Sequence, residues 1–574
     1  MSGKMDIIEL NEEGGKKSSL SRGSPRASGP CWIYSLLAFV IVVLLIVIIA
    51  LAAVIAQRPI LYQNAPTSPA ATTPTVVPSS SPTASVPDFP VVPLVTVGDV
   101  LSLTLSGSVA GGSFGDCFTS TDVNSDGFSD LLIGAPDMSA VYLVLGYQPA
   151  FAGTSASISM PPASGKGSII YGVSVDDQTG DAVATGDVDN DGIVDVVLNS
   201  QLAGPAQQGT VSVLYGSPFL YSTDKIYLPP ANTTIGFTVQ GPSSNAGTGA
   251  GLFAEDIDGD GYADLVIGCP NATIDGYATF PGATYLIWGG QRTSFPSTLD
   301  LANLAIQHGS VFVGGANNDQ LGFVTATVGD INKDGYNDFA MSAPTYNGNH
   351  GAVYIVFGGP RSKFPARIDV YSLPASLGFV VQGRSGDNFG QDLSLAGDVN
   401  NDGYADIISG NPSDPSLRQP LPGSVAIIFG GPTDTLTSFS ASDFNGVNGF
   451  LVTGNNPGDQ FGFAVGPAGD YNLDGAADYN VGATGVTNGQ GFSGAVYVIY
   501  GHTGAFNPNV QISNWNQYSG IVFTANQVNS NLGIEVWGNF DFNGDGRADF
   551  GFGKPDEIVA GVGESAGQAV IIFN

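Results

Sequence analysis

The sequence predicts an all-β chain, a seven-bladed β-propeller of four-stranded antiparallel blades, carried on a single N-terminal transmembrane helix. Three observations predict it. A nine-residue acidic loop, D-x-[DN]-x-D-G-x-x-D, occurs seven times between residues 122 and 549. Short, almost uniformly apolar strands separate the copies, and one long uncharged apolar run stands near the start.

In chain order the first element is residues 1–31, with Lys4, Lys16, Lys17, Arg22 and Arg26. Residues 32–56 follow, an apolar stretch of 25 residues without a charge, long enough to cross a bilayer as a helix. Only Arg58 then appears before Lys166. Positive residues favour the cytoplasmic side, so the sequence predicts a cytoplasmic tail and a single-pass type II anchor in the cell membrane, with the rest extracellular or lumenal. A signal peptide cleaved after Ala56 is the competing reading, but such peptides have an apolar core of only about 7–15 residues. Residues 57–96 are rich in Pro, Ser, Thr and Ala and predict an extended stalk. Cys31 borders the membrane segment, where acylation or an ordinary boundary role both fit.

The acidic loops begin at Asp122, Asp187, Asp256, Asp330, Asp398, Asp470 and Asp541, 65 to 74 residues apart. A fixed period of this size means one supersecondary unit copied along the chain. Oxygens at positions one, three, five and nine, with a backbone carbonyl at seven, can converge on a hard cation at about 2.3–2.6 Å, the distance calcium prefers. The predicted ligands are Asp122, Asn124, Asp126, Phe128 and Asp130 in the first loop, and Asp187, Asp189, Asp191, Ile193 and Asp195 in the second. The third has Asp256, Asp258, Asp260, Tyr262 and Asp264, and the fourth Asp330, Asn332, Asp334, Tyr336 and Asp338. The fifth has Asp398, Asn400, Asp402, Tyr404 and Asp406, the sixth Asp470, Asn472, Asp474, Ala476 and Asp478, and the seventh Asp541, Asn543, Asp545, Arg547 and Asp549. About seven Ca²⁺ are therefore expected. All-oxygen ligation argues against zinc or copper. An EF-hand would need a glutamate at position twelve and flanking helices; here position twelve is Ile133, Leu198, Ile267, Met341, Ser409, Val481 and Phe552, and the following residues read as strand. The second and third loops have four carboxylates against three in the others, so metal is expected to stay there longest as chelator is added.

Segments such as 141–145, 352–357, 495–500 and 569–573 are apolar at nearly every position, as strands covered on both faces must be. Radial stacking of blades provides that cover and leaves only short protected edges. The segment 569–573 reads as an inner strand with no outer-strand segment after it, while residues 101–105 match the outer-strand segments 378–383 and 449–454 yet precede the first loop. The N-terminal strand is thus expected to complete the seventh blade.

Further signals recur around each loop. Phe-Gly precedes it at Phe114-Gly115, Phe389-Gly390 and Phe461-Gly462, with Leu-Gly at 321–322 and 532–533. Gly134-Ala135-Pro136 follows the first loop, and variants such as Gly268-Cys269-Pro270 and Gly482-Ala483-Thr484 follow others. With these motifs the chain resembles the FG-GAP repeats of the integrin α-subunit N-terminal propeller, over roughly residues 97–574. The second repeat departs most, with Thr179-Gly180 and Leu198-Asn199-Ser200, and a calcium loop in every blade is more than integrin propellers usually have. The resemblance implies a ligand-binding adhesion or receptor module, with an extracellular protein ligand or an integrin-β-like subunit as partner. A glycan ligand, which would make it a surface lectin, and a structural role without a discrete ligand are the alternatives.

Catalysis finds little support. The only histidines are His308, His350 and His502, and the paired carboxylates are already accounted for as cation ligands. From residue 95 onward, 11 Lys/Arg face 45 Asp/Glu, 23 of which are loop ligands. Seven Ca²⁺ would leave a net charge of about −20, which disfavours nucleic acid as a partner. Ligand contacts are expected on the face away from the loops, at Tyr277, Phe280, Tyr346, Arg384, Asp387 and Arg418. Asn232-Thr-Thr and Asn271-Ala-Thr are glycosylation sequons fitting a secretory route. Cys117 and Cys269 fall in non-neighbouring blades and are expected as free thiols.

Overall fold

The computed structural model describes residues 94–574 except 97–100, 147–155, 161–165, 218–219, 221–222, 231, 275–279, 317, 414–420, 488–490, 515–518, 526 and 528. The predicted tail at 1–31 and membrane helix at 32–56 lie outside these residues. No helix among the described residues is long and apolar enough to cross a membrane.

Seven separate sheets form, one per repeat, and they are the blades of a propeller. In blade 1 the strands are Phe118–Thr121, Asp130–Ala135, Ala140–Val144 and Gly167–Tyr171, paired antiparallel in that order. The first strands of neighbouring blades pack side by side all the way round, blade 7 against blade 1 included. Second strands, sandwiched between blades, are the most protected: all six residues are buried in each of the seven. Seven apolar clusters result, one at each interface between adjacent blades.

The ring closes as the N-terminal segment predicts. Ser102–Ser106 pairs antiparallel with Gln568–Ile572, Leu103 opposite Ile571 and Leu105 opposite Ala569. Leu103 and Leu105 are fully buried in the cluster between blades 7 and 1, where each contributes about 1.5–3 kcal/mol. Segment 568–572 is the third strand of blade 7 and not the innermost one.

Two expectations change. Every blade has five strands instead of four: a short strand from the next repeat adds parallel to the outer strand, as Lys225–Tyr227 does to Ile169–Tyr171. The same rule places Ala156–Ser159 on the outer strand of blade 7 and Leu94–Thr96 on that of blade 6. Each blade is thereby strapped to the next, and the propeller begins at Leu94, inside the segment expected to be stalk.

The recurrent glycines have a shared cause. A Cβ on Gly134 would lie 2.1 Å from the Gly180 carbonyl oxygen of the next blade, and one on Gly553 would lie 2.0 Å from that of Gly115. The glycine after one acidic loop thus makes room for the glycine before the following loop. Blade 2 has Asn199 at this place, and its Nδ2 donates to the Gly249 carbonyl at 3.1 Å. The departure in the second repeat is therefore a substitution of a side-chain hydrogen bond for backbone contact.

Candidate metal centres and the opposite face

Each acidic loop joins the first and second strands of its blade, so all seven emerge on one face. The loops share one hydrogen-bond plan. The position-one carboxylate accepts the N–H of position five on Oδ1 and that of the position-six glycine on Oδ2, as Asp122 does from Asp126 and Gly127 at 3.0 and 2.8 Å. The position-five Oδ1 accepts the N–H of position seven, as in Asp126 from Phe128 at 3.0 Å. The position-six residue has φ between +83° and +94° in every copy, which only glycine adopts without cost.

Position nine is the first residue of the second strand, and all seven of these aspartates are fully buried. Asp130 accepts the N–H of Val123 at 2.9 Å and that of Gly146, just past the third strand, at 2.7 Å. The same pair of bonds recurs at Asp195, Asp264, Asp338, Asp406, Asp478 and Asp549. Burial pushes these acids up, to about 7 at Asp130, Asp338, Asp478 and Asp549 and about 8 at Asp195 and Asp406, and raises Asp264 as well. Repulsion from other loop acids adds to this, and the backbone donors oppose it. Position nine therefore anchors the loop and at the same time presents a carboxylate that a cation would stabilise.

Oxygens of Asp187, Asp189 and Asp195 lie within 4.8 Å of one another, as do those of Asp256, Asp258 and Asp260. Asp189 Oδ1 is buried with no hydrogen-bond partner. Its other oxygen accepts from Arg292 Nε, while Arg292 Nη2 reaches Asp191; Arg361 does the same to Asp258 and Asp260. Both arginines come from the neighbouring blade, some hundred residues on, and sequence reasoning missed them.

The FG-GAP repeat family matches residues 179–214, 248–287, 323–356 and 389–427. Blades 2 to 5 are thus FG-GAP repeats. The matched segments are blades 2 to 5, so the family includes the divergent second repeat, and blades 1, 6 and 7 have the same strand plan. The chain is similar to integrin alpha-PS5 of Drosophila melanogaster, 35% identical over 29% of this chain and 15% of that protein. Human integrin alpha-IIb is 33% identical over 29% of this chain and 16% of its own length. Human phosphatidylinositol-glycan-specific phospholipase D is 30% identical over 32% of this chain and 21% of its own length. The matches thus span about a fifth or less of these relatives.

On the other face of the propeller lie the connections between second and third strands and those between blades. Phe280 and Tyr346 come together there, lining a cleft of about 660 Å³ between blades 3 and 4 with Asp319 and Tyr371. Tyr371 Oη donates to Asp319 at 2.9 Å. Arg384 and Asp387 lie away from it: Asp387 is buried and accepts from the Arg384 N–H at 3.1 Å and Nε at 2.8 Å, bracing a turn between blades 4 and 5. Asp177, Asp319 and Asp459 brace the corresponding turns at other blades. Tyr277 and Arg418 lie outside the described residues.

A larger cleft, about 1080 Å³, runs across blades 5 to 7. Polar groups Asn456, Gln460, Thr484, Asn529 and Asn531 line it, with Asp459, Asp556 and Glu564, while Leu421, Phe492 and Ile558 stand exposed at its edge. Nothing in the sequence marks these loop residues except their place beside the repeated motifs.

Asn232 is exposed between the third and fourth strands of blade 2, whereas Asn271 is half-buried and lines the cleft of blades 3 and 4. Cys269 is buried and free, its thiol pushed up to about 12 by burial; Cys117 is also free.

Proposed function

We propose that this chain is a calcium-loaded adhesion or receptor module of the cell surface, which binds a protein ligand on the face opposite its acidic loops. The observation that supports it best is the cleft of about 1080 Å³ across blades 5 to 7. Exposed Leu421, Phe492 and Ile558 at its edge offer the apolar anchors that protein interfaces use. The lining includes Asp459, Asp556 and Glu564 but, among the described residues, no Lys or Arg, which favours a partner segment that is basic or neutral. The integrin relatives support a ligand-binding reading, and an integrin-β-like subunit is one partner of that kind. The phospholipase D match makes an enzyme the contrasting reading.

Calcium is the cation proposed for all seven loops, with oxygen ligands at positions one, three, five, seven and nine. Its part is structural: it offsets the mutual repulsion of three or four carboxylates per loop. The unpartnered Asp189 Oδ1 is the feature that most directly asks for one. A type II anchor at residues 32–56 would hold the propeller outside the cell, with sugar on Asn232. Sugar on Asn271 would fill the smaller cleft and leave the larger as the open site.

The test is binding to the full chain displayed on cells, using a library of extracellular proteins, with Phe492→Ala and Asp556→Lys as variants. Loss of a captured partner in both variants supports the proposal; a partner retained by both refutes the site. Phe492 beside Asn456, Gln460 and Asn529 also fits a sugar ring stacked on an aromatic and held by amides. Selective glycan-array binding lost in Phe492→Ala would favour that lectin reading.

A further inference from the structure

Position three of the acidic loop is Asp in blades 2 and 3 and Asn in the other five. The two aspartates are the ones an arginine reaches from the next blade. Arg292, four residues after Trp288 at the end of a third strand, donates to Asp189 and Asp191 of blade 2. Arg361, four residues after Phe357, donates to Asp258 and Asp260 of blade 3, and its Nη2 also reaches the Gly289 carbonyl at 3.2 Å. The corresponding places in blades 1, 2, 5 and 6 are Pro149, Phe219, Thr433 and Gly504. Asp at position three and arginine at this place therefore occur together.

Both arginines are held in the same way. The Arg292 guanidinium lies 4.6 Å from the centre of the Tyr215 ring, and that of Arg361 lies 5.4 Å from Trp288. An aromatic shelf on one blade thus supports the arginine of the next while its fork spans two carboxylates. The side chains of Asp189 and Asp258 are each only 2% exposed, so an uncompensated charge there would be costly.

We infer that Arg292 and Arg361 are charge-balancing members of the cation sites of blades 2 and 3, making each a site shared between two blades. Four carboxylates and one guanidinium present the same net charge to a cation as three carboxylates and an asparagine. The expectation that these two loops outlast the others during chelation is then replaced by roughly equal retention. The arginine also neutralises one of the four carboxylate charges without metal, so the blade 2–3 and 3–4 interfaces stay latched when metal is withdrawn.

The calcium arm of this inference rests on the reading of the loops as cation sites; the chelator arm does not. The full chain in detergent micelles is compared with Arg361→Met and with the double variant Asp258→Asn/Arg361→Met, by melting temperature in EGTA and in calcium. In EGTA the single variant should melt lower than the parent, and the double variant should recover at least half of the loss, because its loop becomes the three-carboxylate type found in blades 4 to 7. A double variant that melts no higher than the single one overturns the charge balance. In calcium the Arg361→Met loop should bind the ion on the order of tenfold tighter than the parent loop, since a nearby positive charge is gone. Weaker binding in the single variant would overturn the shared site, while failure of every variant and the parent to take up calcium would sink the cation reading and leave the EGTA comparison to decide the latch.

Discussion

Gln568 Nε2 donates to Ser106 Oγ at 3.2 Å across 462 residues of chain. Around that bond, strand 102–106 completes blade 7, and Trp537 Nε1 of blade 7 donates to Ser120 Oγ of blade 1 at 2.7 Å. The closure of the ring is thus carried by side-chain bonds as well as by the strand ladder.

Replacing Leu103 and Leu105 by aspartate should therefore damage the far end of the chain. Both are fully buried, and two unpaired charges there would cost more than the roughly 2–5 kcal/mol of a large-to-small change. Limited proteolysis should release fragments of blade 7, whose third strand loses its neighbour. Unchanged protection of residues 536–572 would mean that the closure is dispensable.

Gly553→Ala tests the contact between blades from the other side. The added methyl would fall 2.0 Å from the Gly115 carbonyl oxygen, a backbone atom that cannot swing away. A loss of about 1–3 kcal/mol is expected from such overpacking, read by denaturant unfolding. Gly127→Ala meets no atom within 4 Å, so its cost should come from its positive φ alone and be smaller.

The position-nine acids predict opposite pH responses with and without metal. Their folded values of about 7 to 8 stand above the ordinary carboxylate range, so the folded chain holds protons that the unfolded chain releases. In EGTA their contribution to stability is fully present near pH 4 and is lost as pH rises through 7 to 8. With calcium the ion must displace those protons, so its apparent affinity should fall as pH drops from 8 to 5.5. Melting curves at both pH values in EGTA and in calcium check this; a metal-free protein that gains stability toward pH 8 would contradict it.

Legibility followed the chemistry of each element. The loops and second strands were readable because ligand spacing and unbroken apolar runs leave a pattern within nine to fifteen residues. Strand 102–106 was found because it repeats the outer-strand pattern of later blades. The fifth strands escaped because Lys225–Tyr227 buries only Ile226 and draws its partner from the preceding repeat. Arg292 and Arg361 escaped for a similar reason: their carboxylates lie about a hundred residues upstream, and only the stacking of blades brings them together. Asp387 looked like an exposed loop charge, yet Arg384 and the backbone claim it. The cleft of blades 5 to 7 has no local signature at all, since it is assembled from five separate connections.

The central claim is that the acidic loops are cation sites, and calcium stoichiometry tests it most directly. Isothermal titration of the chelator-stripped full chain, checked by elemental analysis of the dialysed complex, should give about seven Ca²⁺ per chain with a rise in melting temperature on loading. Two or fewer ions per chain, or a melting temperature indifferent to calcium, would contradict it.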